Sequence, residues 1–259
     1  MVRSIRSLAQ RGRPADAHGA SFRQHTNRNQ MSLAGKGAVA IWHDIAPEGR
    51  GEFYAWHGHE HMPERAAIPG FLRGRRYISI DGKPEFFNLY ETASRSTVTS
   101  PEYLARLNAP TPWTTATVRH FRDVARSLCE VIASFGDGQG GLMATLRYAV
   151  DDAAIARHRA AIVETKLPAL ATEPGVAGAH LLLADEVASA VETAERRLRA
   201  GQNTIPRCIV LVESWGDLQP FRTLCARIAT DPLFGDAAAP DVGIYQLQNS
   251  RSSPQWSAG

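Results

Sequence analysis

The sequence has few cysteines and no long apolar run, and each absence excludes a class of protein. Its 259 residues include three cysteines without CxxC spacing, which excludes a disulfide scaffold and favours a reducing compartment. No stretch of about 18 apolar residues occurs, so no transmembrane helix is expected. The sequence therefore predicts a soluble, cytoplasmic protein without a membrane partner.

Motifs of several enzyme classes are also missing. There is no G-x-S-x-G elbow, phosphate-binding loop or dinucleotide fingerprint, which disfavours serine acyl transfer, ATP use and Rossmann-type nicotinamide chemistry. The segment WHGHEHMPER at 56–65 is rich in histidine, but Glu60 directly precedes His61 instead of following the first histidine. The HExxH zinc arrangement is therefore absent, and neither a metal site nor an organic cofactor is predicted.

Positive charge is concentrated at the start of the chain. Residues 1–30 contain six arginines and one aspartate, 6 − 1 = +5, whereas the whole chain carries +3, which leaves 3 − 5 = −2 for the remainder. A basic segment with few apolar residues cannot offset its ordering entropy, so residues 1–35 are predicted to be a disordered tail, with Met31 as an alternative start. Because the folded part has no basic stripe, nucleic acid is not an expected partner.

An internal repeat organises the rest of the chain. PERAAIPG at 63–70 and PALATEPG at 168–175 share a Pro-x5-Pro-Gly spacing at an offset of 168 − 63 = 105. NLYET at 88–92 matches VLVES at 210–214 at an offset of 213 − 91 = 122. The second copy has therefore gained 122 − 105 = 17 residues. They lie within 184–203, a segment that predicts an added helix.

Each copy is predicted to contain the same elements in the order βαββαβ. This order is typical of a ferredoxin-like unit, an antiparallel sheet with helices on one face. An apolar opposite face cannot stay exposed, so the two units are expected to close sheet against sheet within one α+β chain. The predicted parts are a basic tail at 1–35, a first repeat at 36–137, a second repeat at 138–250 with its insert near 184–203, and a flexible tail at 251–259.

A resemblance to a known family follows from the histidine segment. His57-Gly-His-Glu-His61-Met-Pro63, followed by IPGF at 68–71, resembles the first-helix motif of the EthD-like group in the dimeric α+β barrel superfamily. The resemblance covers nearly all of residues 36–250 as two tandem copies. It implies a pseudo-dimeric α+β barrel formed within one chain, and a further homodimer remains possible. Members of the superfamily include dehydratases, isomerases, cofactor-free monooxygenases, haem enzymes and proteins without known activity.

Two histidines of this segment are predicted to form an acid–base pair. On a helix from about 50 to 66, Phe53, His57 and His61 share one face. Imidazole titrates near neutrality, so a positioned pair can give and take protons without a cofactor. His43 alternates with apolar residues in the first strand and would lie beneath the pair if that strand face meets the helix. There are two alternatives for His43. It is a buried structural histidine, or it forms a metal site together with His57 and His61.

Further candidates lie around these histidines. Glu60 is predicted to orient an imidazole or act as a base, and an exposed carboxylate is its alternative role. Large aromatic side chains can line an organic substrate pocket, and an arginine can hold a substrate carboxylate, although packing and solvation are the ordinary roles of both. The predicted substrate contacts are Phe53, Tyr54, Trp56, Arg73 and Trp113.

The sequence thus predicts an EthD-like lyase or isomerase that uses histidine acid–base chemistry on a small hydrophobic or aromatic metabolite. One alternative is a non-catalytic ligand-binding or stress-responsive barrel with structural histidines. Another is a cofactor-free monooxygenase, or a barrel that binds haem or a metal. Lys166 is the repeat-related position of His61, so the first copy is predicted to hold the one working site. A polar pocket beside His57 and His61 would favour the enzyme, and a solid core there the binding protein.

Overall fold

The computed structural model of the protein describes residues 32–199, 201, 203–234 and 239–254. Most of the two predicted tails, residues 1–31 and 255–259, lies outside the described residues. At both ends the ordered structure extends into the stretch predicted as a tail. Ser32 and Leu33 are buried, and the last strand continues to Ser252.

The chain forms eight strands and nine α-helices within the described residues. The strands are β1 (Gly37–Ile45), β2 (Phe71–Asp81), β3 (Phe86–Thr92), β4 (Phe121–Phe135), β5 (Leu142–Tyr148), β6 (Val176–Ala184), β7 (Cys208–Ser214) and β8 (Asp241–Ser252). The helices are α1 (Arg50–Trp56), α2 (Met62–Ala66), α3 (Pro101–Asn108), α4 (Pro112–Val118), α5 (Asp152–Ala161), α6 (Leu167–Ala171), α7 (Glu186–Ala190), α8 (Ala194–Leu198) and α9 (Leu218–Ala229).

The eight strands close into one barrel in the order β1-β3-β2-β8-β5-β7-β6-β4. Around this ring the first half reads β4-β1-β3-β2 and the second half β8-β5-β7-β6, so corresponding strands take corresponding places. All eight pairings between neighbours are antiparallel. The mixed α+β class is confirmed, and the closed barrel is compatible with the predicted pseudo-dimeric arrangement.

The strand registers of the two halves correspond residue by residue. In the first half Arg76 of β2 pairs with Asn88 of β3, and in the second half Leu181 of β6 pairs with Val210 of β7. These positions differ by 181 − 76 = 105 and 210 − 88 = 122, the two offsets found in the sequence. The register therefore identifies which residue of one half takes the place of which residue in the other.

A π turn widens the first helix of each half, at His57–His61 and at Ile162–Lys166. After the first turn, Met62 donates its amide hydrogen to the carbonyl five residues earlier. The proline that follows each turn, Pro63 or Pro168, has no amide hydrogen for the usual bond to the carbonyl four residues earlier. The turns lie 162 − 57 = 105 residues apart, so the wider turn is a feature of both halves.

The Pro-Gly turns that end these helices also match. Gly70 has a φ of 83° and Gly175 a φ of 82°, a left-handed conformation that glycine adopts without steric cost. Each turn brings the chain from the helix layer back into the sheet. The Pro-x5-Pro-Gly spacing therefore recurs because both halves use the same turn, which requires glycine in a left-handed conformation.

Alternation along the strands separates the core into layers. Trp42 and Phe87 lie in the barrel interior together with Met143 and Tyr245 of the second half. The opposite sheet faces pack on helices, with one apolar cluster for each half. His43 lies beside Trp42 in sequence and therefore on the opposite face, in the layer between sheet and helices of the first half.

The insert of the second half forms two short helices, not the single helix predicted. Asp185 and Thr193 each cap the start of one of them, α7 and α8, by accepting a backbone N–H bond. Two capping side chains in so short a segment start two helices instead of one. Helix α8 packs against α3 and α4 of the first half. The insert therefore covers the helix layer of the other half.

Candidate active site

The layer between sheet and helices of the first half contains three buried histidines. His43, His57 and His61 are 0%, 2% and 6% exposed. The structure brings His57 and His61 together, with ring centroids 5.5 Å apart. The Phe53 ring separates His43 from the pair, because it lies 5.2 Å from both His43 and His57. Two imidazoles converge, and the third lies one aromatic ring away.

His57 uses both of its ring nitrogens. The Nη1 atom of Arg76 lies 3.4 Å from Nδ1, and the Tyr90 hydroxyl lies 3.2 Å from Nε2. A guanidinium can only donate, so Nδ1 accepts and the neutral ring carries its proton on Nε2. The Tyr90 oxygen then accepts that proton's hydrogen bond, which leaves its own hydrogen available to another acceptor.

His61 differs from His57 in its bonding. Its ring packs on Trp56 with a centroid distance of 4.2 Å and lies 6.2 Å from the ring of Tyr90. Its Nδ1 atom is buried and has no hydrogen-bond partner among the described residues. Buried polar atoms are normally paired, so an unpaired imidazole nitrogen requires an explanation.

His43 is held by fixed partners. Its Nδ1 lies 3.3 Å from the backbone carbonyl of Asp44, and the Asn88 side-chain amide lies 2.8 Å from its Nε2. The carbonyl can only accept, so Nδ1 donates and Nε2 accepts from Asn88. The ring also packs on Phe86 and Phe121 at 5.4 and 4.2 Å. Both nitrogens are satisfied, which is the arrangement of a structural histidine.

All three imidazoles are neutral near pH 7. Burial lowers the pKa of His43 to about 3. Burial first, and then nearby positive charges, lower the pKa of His57 and His61 well below the usual value; for His61 these charges are Arg65 and Arg199. Burial also raises the pKa of Tyr90, which keeps the phenol protonated. The site thus combines imidazoles free of positive charge with a phenol donor.

Glu60 does not contact the histidines. Its carboxylate accepts hydrogen bonds from the Thr111 hydroxyl at 2.6 Å and the Thr114 hydroxyl at 3.3 Å. Trp56 also donates to the Thr114 hydroxyl, at 3.1 Å. These bonds fasten α4 to the histidine-bearing helix. They tie the Glu60 carboxylate to α4 and not to an imidazole.

The predicted aromatic residues occupy different depths. Phe53 and Trp56 are fully buried beside the histidines. Tyr54 is half-buried and stacks on the Arg76 guanidinium, 4.8 Å from its ring centroid. Trp113 lies at the rim, where its indole N–H donates to Glu52. Three of the four aromatic candidates therefore lie around the histidine pair or its arginine.

Arg73 faces the wrong side of the sheet for the predicted role. It lies in the barrel interior, where Nε and Nη2 donate to the two oxygens of Glu91 at 2.8 and 2.6 Å. Arg75 follows on the same face and pairs with Glu213 from the second half. Arg73 was predicted to hold a substrate carboxylate, but in the structure its guanidinium pairs with the carboxylate of Glu91.

The site includes three residues that the sequence reasoning did not select. Arg76, Asn88 and Tyr90 all point from β2 and β3 towards the helices, where they contact His43 or His57. Period-two alternation in these strands was the available signal, since β2 residues of even number and β3 residues of even number share the helix side.

A buried ion cluster closes one side of the site. Glu195 of α8 accepts from Arg65 and from Arg199, each at 2.5 Å. The Arg199 guanidinium lies 5.7 Å from the centroid of Phe121, a ring that packs on His43. Leu198 packs against the same apolar cluster. The second half therefore forms part of the wall around the site in the first half.

Comparison with known proteins identifies the fold. No protein-family model matches the sequence, and no curated protein is significantly similar to it. The solved structure of an anthrone oxidase-like protein is similar with a TM-score of 0.54 and 14% identity, over 85% of this chain and 94% of that chain. A protein described as a "putative monooxygenase" from Lactobacillus acidophilus gives 0.50 and 10%, over 84% and 97%.

This chain shares the fold of these two structures. At such low identity the likeness concerns the fold alone, and it does not single out the EthD-like group. No helix of the described chain is long and apolar enough to cross a membrane. No group of three histidine, cysteine, aspartate or glutamate side chains is arranged as metal ligands within the described ranges.

Proposed function

We propose that the first half is the active site of an enzyme that moves a proton on a hydrophobic, aromatic small molecule. The observation that carries this proposal is the buried, unpaired Nδ1 of His61, beside an aromatic wall and a second imidazole. A nitrogen that accepts no bond from the protein is free to accept one from a substrate. The reaction class that follows is a lyase or isomerase of the EthD-like type, without an organic cofactor.

Each polar group then has a role. His61 removes the proton through Nδ1. Tyr90 keeps its proton, so its hydroxyl is suited to donate to an oxygen that becomes negative as the proton leaves. His57 is a positioning residue, since its Nε2–H directs the Tyr90 oxygen. The rings of the base and the donor lie 6.2 Å apart, one on the first helix and the other on β3.

The charges around the site suit a substrate anion. Desolvation and nearby arginines lower the pKa of His61, which makes a free imidazole neutral but a weak base. The same positive charges lower the pKa of a substrate acid in the same place. An anion that forms there also raises the pKa of His61, so the proton is better held once it has moved. Proton transfer is therefore coupled to substrate binding.

A cofactor-free monooxygenase is the second candidate. Both similar structures described above carry monooxygenase or oxidase names, and proton abstraction is also the first step of such a reaction. In that case a substrate methylene becomes a carbonyl: O2 supplies the carbonyl oxygen, and its other oxygen leaves as water with the two hydrogens. A haem- or metal-dependent reaction is tested separately by the colour and metal content of the purified protein.

We also propose that the chain is a tandem duplication of a ferredoxin-like EthD-type unit, with the one working site in the first copy. The shared registers and paired π turns support this. A cytoplasmic location and a further homodimer are predictions for cell fractionation and analytical ultracentrifugation. A non-catalytic barrel is the alternative, and the closed packing of all three histidines favours it.

The proposal is tested by an assay for the proton step alone. The protein is incubated in D2O with a panel of aromatic ketones and 1,3-diketones, and deuterium entry at the acidic carbon is followed by NMR. Exchange by the native protein but not by His61→Gln supports the proposal. Exchange by neither, or by both equally, contradicts it. O2 consumption in the same samples separates the oxygenase from the lyase or isomerase.

A further inference from the structure

The arginines buried in the described part of the chain differ in how their charge is balanced. Arg65, Arg73 and Arg75 each contact a carboxylate at 2.9 Å or less. Arg76 is only 7% exposed, yet no aspartate or glutamate of the described residues pairs with it. A buried charge without a counter-ion is costly, so its retention requires another source of stabilisation.

The partners of Arg76 are all neutral. Its Nε donates to the side-chain oxygen of Gln248 at 3.2 Å, and Nη1 faces the His57 nitrogen at 3.4 Å. The guanidinium plane lies over the rings of Tyr54 and Phe53, at 4.8 and 5.6 Å. Its third nitrogen, Nη2, has no hydrogen-bond partner within the described ranges. Burial lowers the pKa of Arg76, as expected where no carboxylate offsets desolvation.

The fold itself does not need this charge. Leu181 occupies the corresponding place in the second half, in the same register, and it is fully buried in the apolar layer. An apolar side chain therefore fills the position without loss of the barrel. The guanidinium is an addition specific to the half that contains His57 and His61.

Arg76 also lies close to the surface on one side. Gln248, which covers it from β8, is exposed and donates to the Tyr54 hydroxyl at 3.3 Å. Gln248 is held to Arg76 and to Tyr54 by one hydrogen bond each, so its side chain can move without disturbing a strand. The position thus joins a buried positive charge, two aromatic faces and a short path to solvent.

We propose that Arg76 binds an anionic oxygen, a carboxylate or a phenolate, on an aromatic ligand of this site. Nη2 and the second hydrogen of Nη1 remain for a bond to that oxygen, and the half-buried ring of Tyr54 is the aromatic surface for the ligand body. The inference builds on the proposed function by naming the substrate class, an aromatic acid or phenol. It assigns to Arg76 the contact that the sequence suggested for Arg73.

The test measures binding, not turnover, so it stays separate from the proton-transfer assay. Titration calorimetry of the full chain compares 2-naphthoate with 2-naphthamide, which has nearly the same shape and no charge. The native protein should prefer the naphthoate by about tenfold to a hundredfold, the usual range for a charge-assisted bond. Arg76→Met should abolish the preference without weakening the amide, and Arg76→Lys should keep part of it.

A matched control is Arg50→Met, because Arg50 also lies over Tyr54 but already pairs with Glu85. This variant should keep the preference of the native protein. No preference for 2-naphthoate over 2-naphthamide together with no pKa shift of bound 4-nitrophenol, described next, would overturn the proposal. An unchanged preference in Arg76→Met would also overturn it.

Two further measurements complete the test. In the first, 4-nitrophenol replaces the naphthoate, and its yellow phenolate is followed by absorbance. The native protein should lower the apparent pKa of the bound phenol, and Arg76→Met should not. A shift with 4-nitrophenol and no preference for naphthoate would assign the site to phenolates; the reverse would assign it to carboxylates.

The second measurement is the unfolding free energy of Arg76→Leu, which installs the residue of the second half. If Arg76 serves a ligand, the free protein should be at least as stable after the change. A large loss of stability would show that Arg76 is a structural residue and would overturn the proposal.

Discussion

The two halves of the barrel solve the same packing problem with different chemistry. Their strands share one register, so positions can be compared directly. The first-half residues and their second-half counterparts are His57 and Ile162, Arg76 and Leu181, Asn88 and Val210, and Tyr90 and Val212. All four counterparts are buried in the apolar layer of the second half. The fold therefore tolerates apolar side chains at every one of these places.

This difference shows which buried polar groups the fold can omit. Buried polar side chains cost free energy unless they are paired, and the second half shows that they can be omitted. The helix layer of the second half contains a buried polar pair of its own, in which the Tyr148 hydroxyl lies 2.9 Å from Nε2 of His158. These two residues take the places of His43 and Phe53. Hydrogen bonding within this pair explains why its two polar groups are tolerated in the core. The unpaired Nδ1 of His61 has no such explanation.

The largest expected effect is the loss of turnover in His61→Gln. If His61 is the base, turnover should fall by roughly 10²–10⁴ fold, the usual contribution of such a group. Glutamine approximates the size of histidine, which matters because the ring packs on Trp56. Alanine, which helix propensity alone would favour, would leave a cavity here and should cost about 2 kcal/mol of stability.

The control is Lys166→Gln at the corresponding position of the second half. Lys166 is partly exposed and pairs with Asp231, away from the histidines. The turnover of Lys166→Gln should match that of the native protein within about a factor of two. Equal losses in both variants would contradict an active site confined to the first half.

Tyr90→Phe should have the next largest effect. The change removes a hydroxyl and leaves a ring in a position where the second half has the apolar Val212. Folding should be retained, while turnover should fall by roughly a hundredfold, as for the loss of one donor to a developing oxyanion. Native turnover in a folded Tyr90→Phe protein would remove Tyr90 from the mechanism.

His57→Gln distinguishes positioning from direct catalysis. If His57 acts through Tyr90, as proposed, the loss of His57 should lower turnover without changing the pH profile set by His61. A displaced pH profile in His57→Gln would show that His57 itself titrates in the reaction.

Acid should destabilise the first half through its histidines. The pKa of buried His57 lies well below the usual 6.5, so the unfolded chain binds a proton first as the pH falls. The stability present above about pH 6.5 is therefore lost as the pH falls towards the folded pKa, by about 1.4 kcal/mol per pH unit for each such histidine. Urea unfolding at pH 7.5 and pH 5 measures this loss.

The counterpart of His57 in the second half is Ile162, so replacing His57 by isoleucine tests this effect of acid. His57→Ile should reduce the difference in unfolding free energy between the two pH values by about 2 kcal/mol. The exposed His59, on the same π turn, is the control, and His59→Ala should leave the difference unchanged. An unaltered difference in His57→Ile would show that acid acts elsewhere.

The smallest expected effect is that of Glu60→Gln. The carboxylate contacts Thr111 and Thr114 and no histidine, and glutamine retains an oxygen for these bonds. Turnover should change by no more than about twofold. A loss as large as that of His61→Gln would restore Glu60 as a base and would require the helix layer to rearrange during catalysis.

Features that depend on local spacing could be predicted from the sequence. The Pro-x5-Pro-Gly repeat predicted two equivalent helix–turn–strand units, because proline and glycine impose their backbone geometry wherever they occur. The offsets of 105 and 122 aligned the two copies, and the same offsets relate the strand registers of the halves. Residues four apart on one helix share a face, so the pairing of His57 with His61 also followed from the sequence.

The groups that complete the site depend on the packing of elements that are distant in sequence. Alternation in β2 showed that Arg73 and Arg76 lie on opposite faces, but the packing of helices on one face determined that Arg76 meets the histidines. The contact between Arg65 and Glu195 spans 130 residues of sequence, and no local pattern records it. Burial, pairing and the resulting pKa shifts arise from which distant elements pack together, because desolvation and charge act through space rather than along the chain.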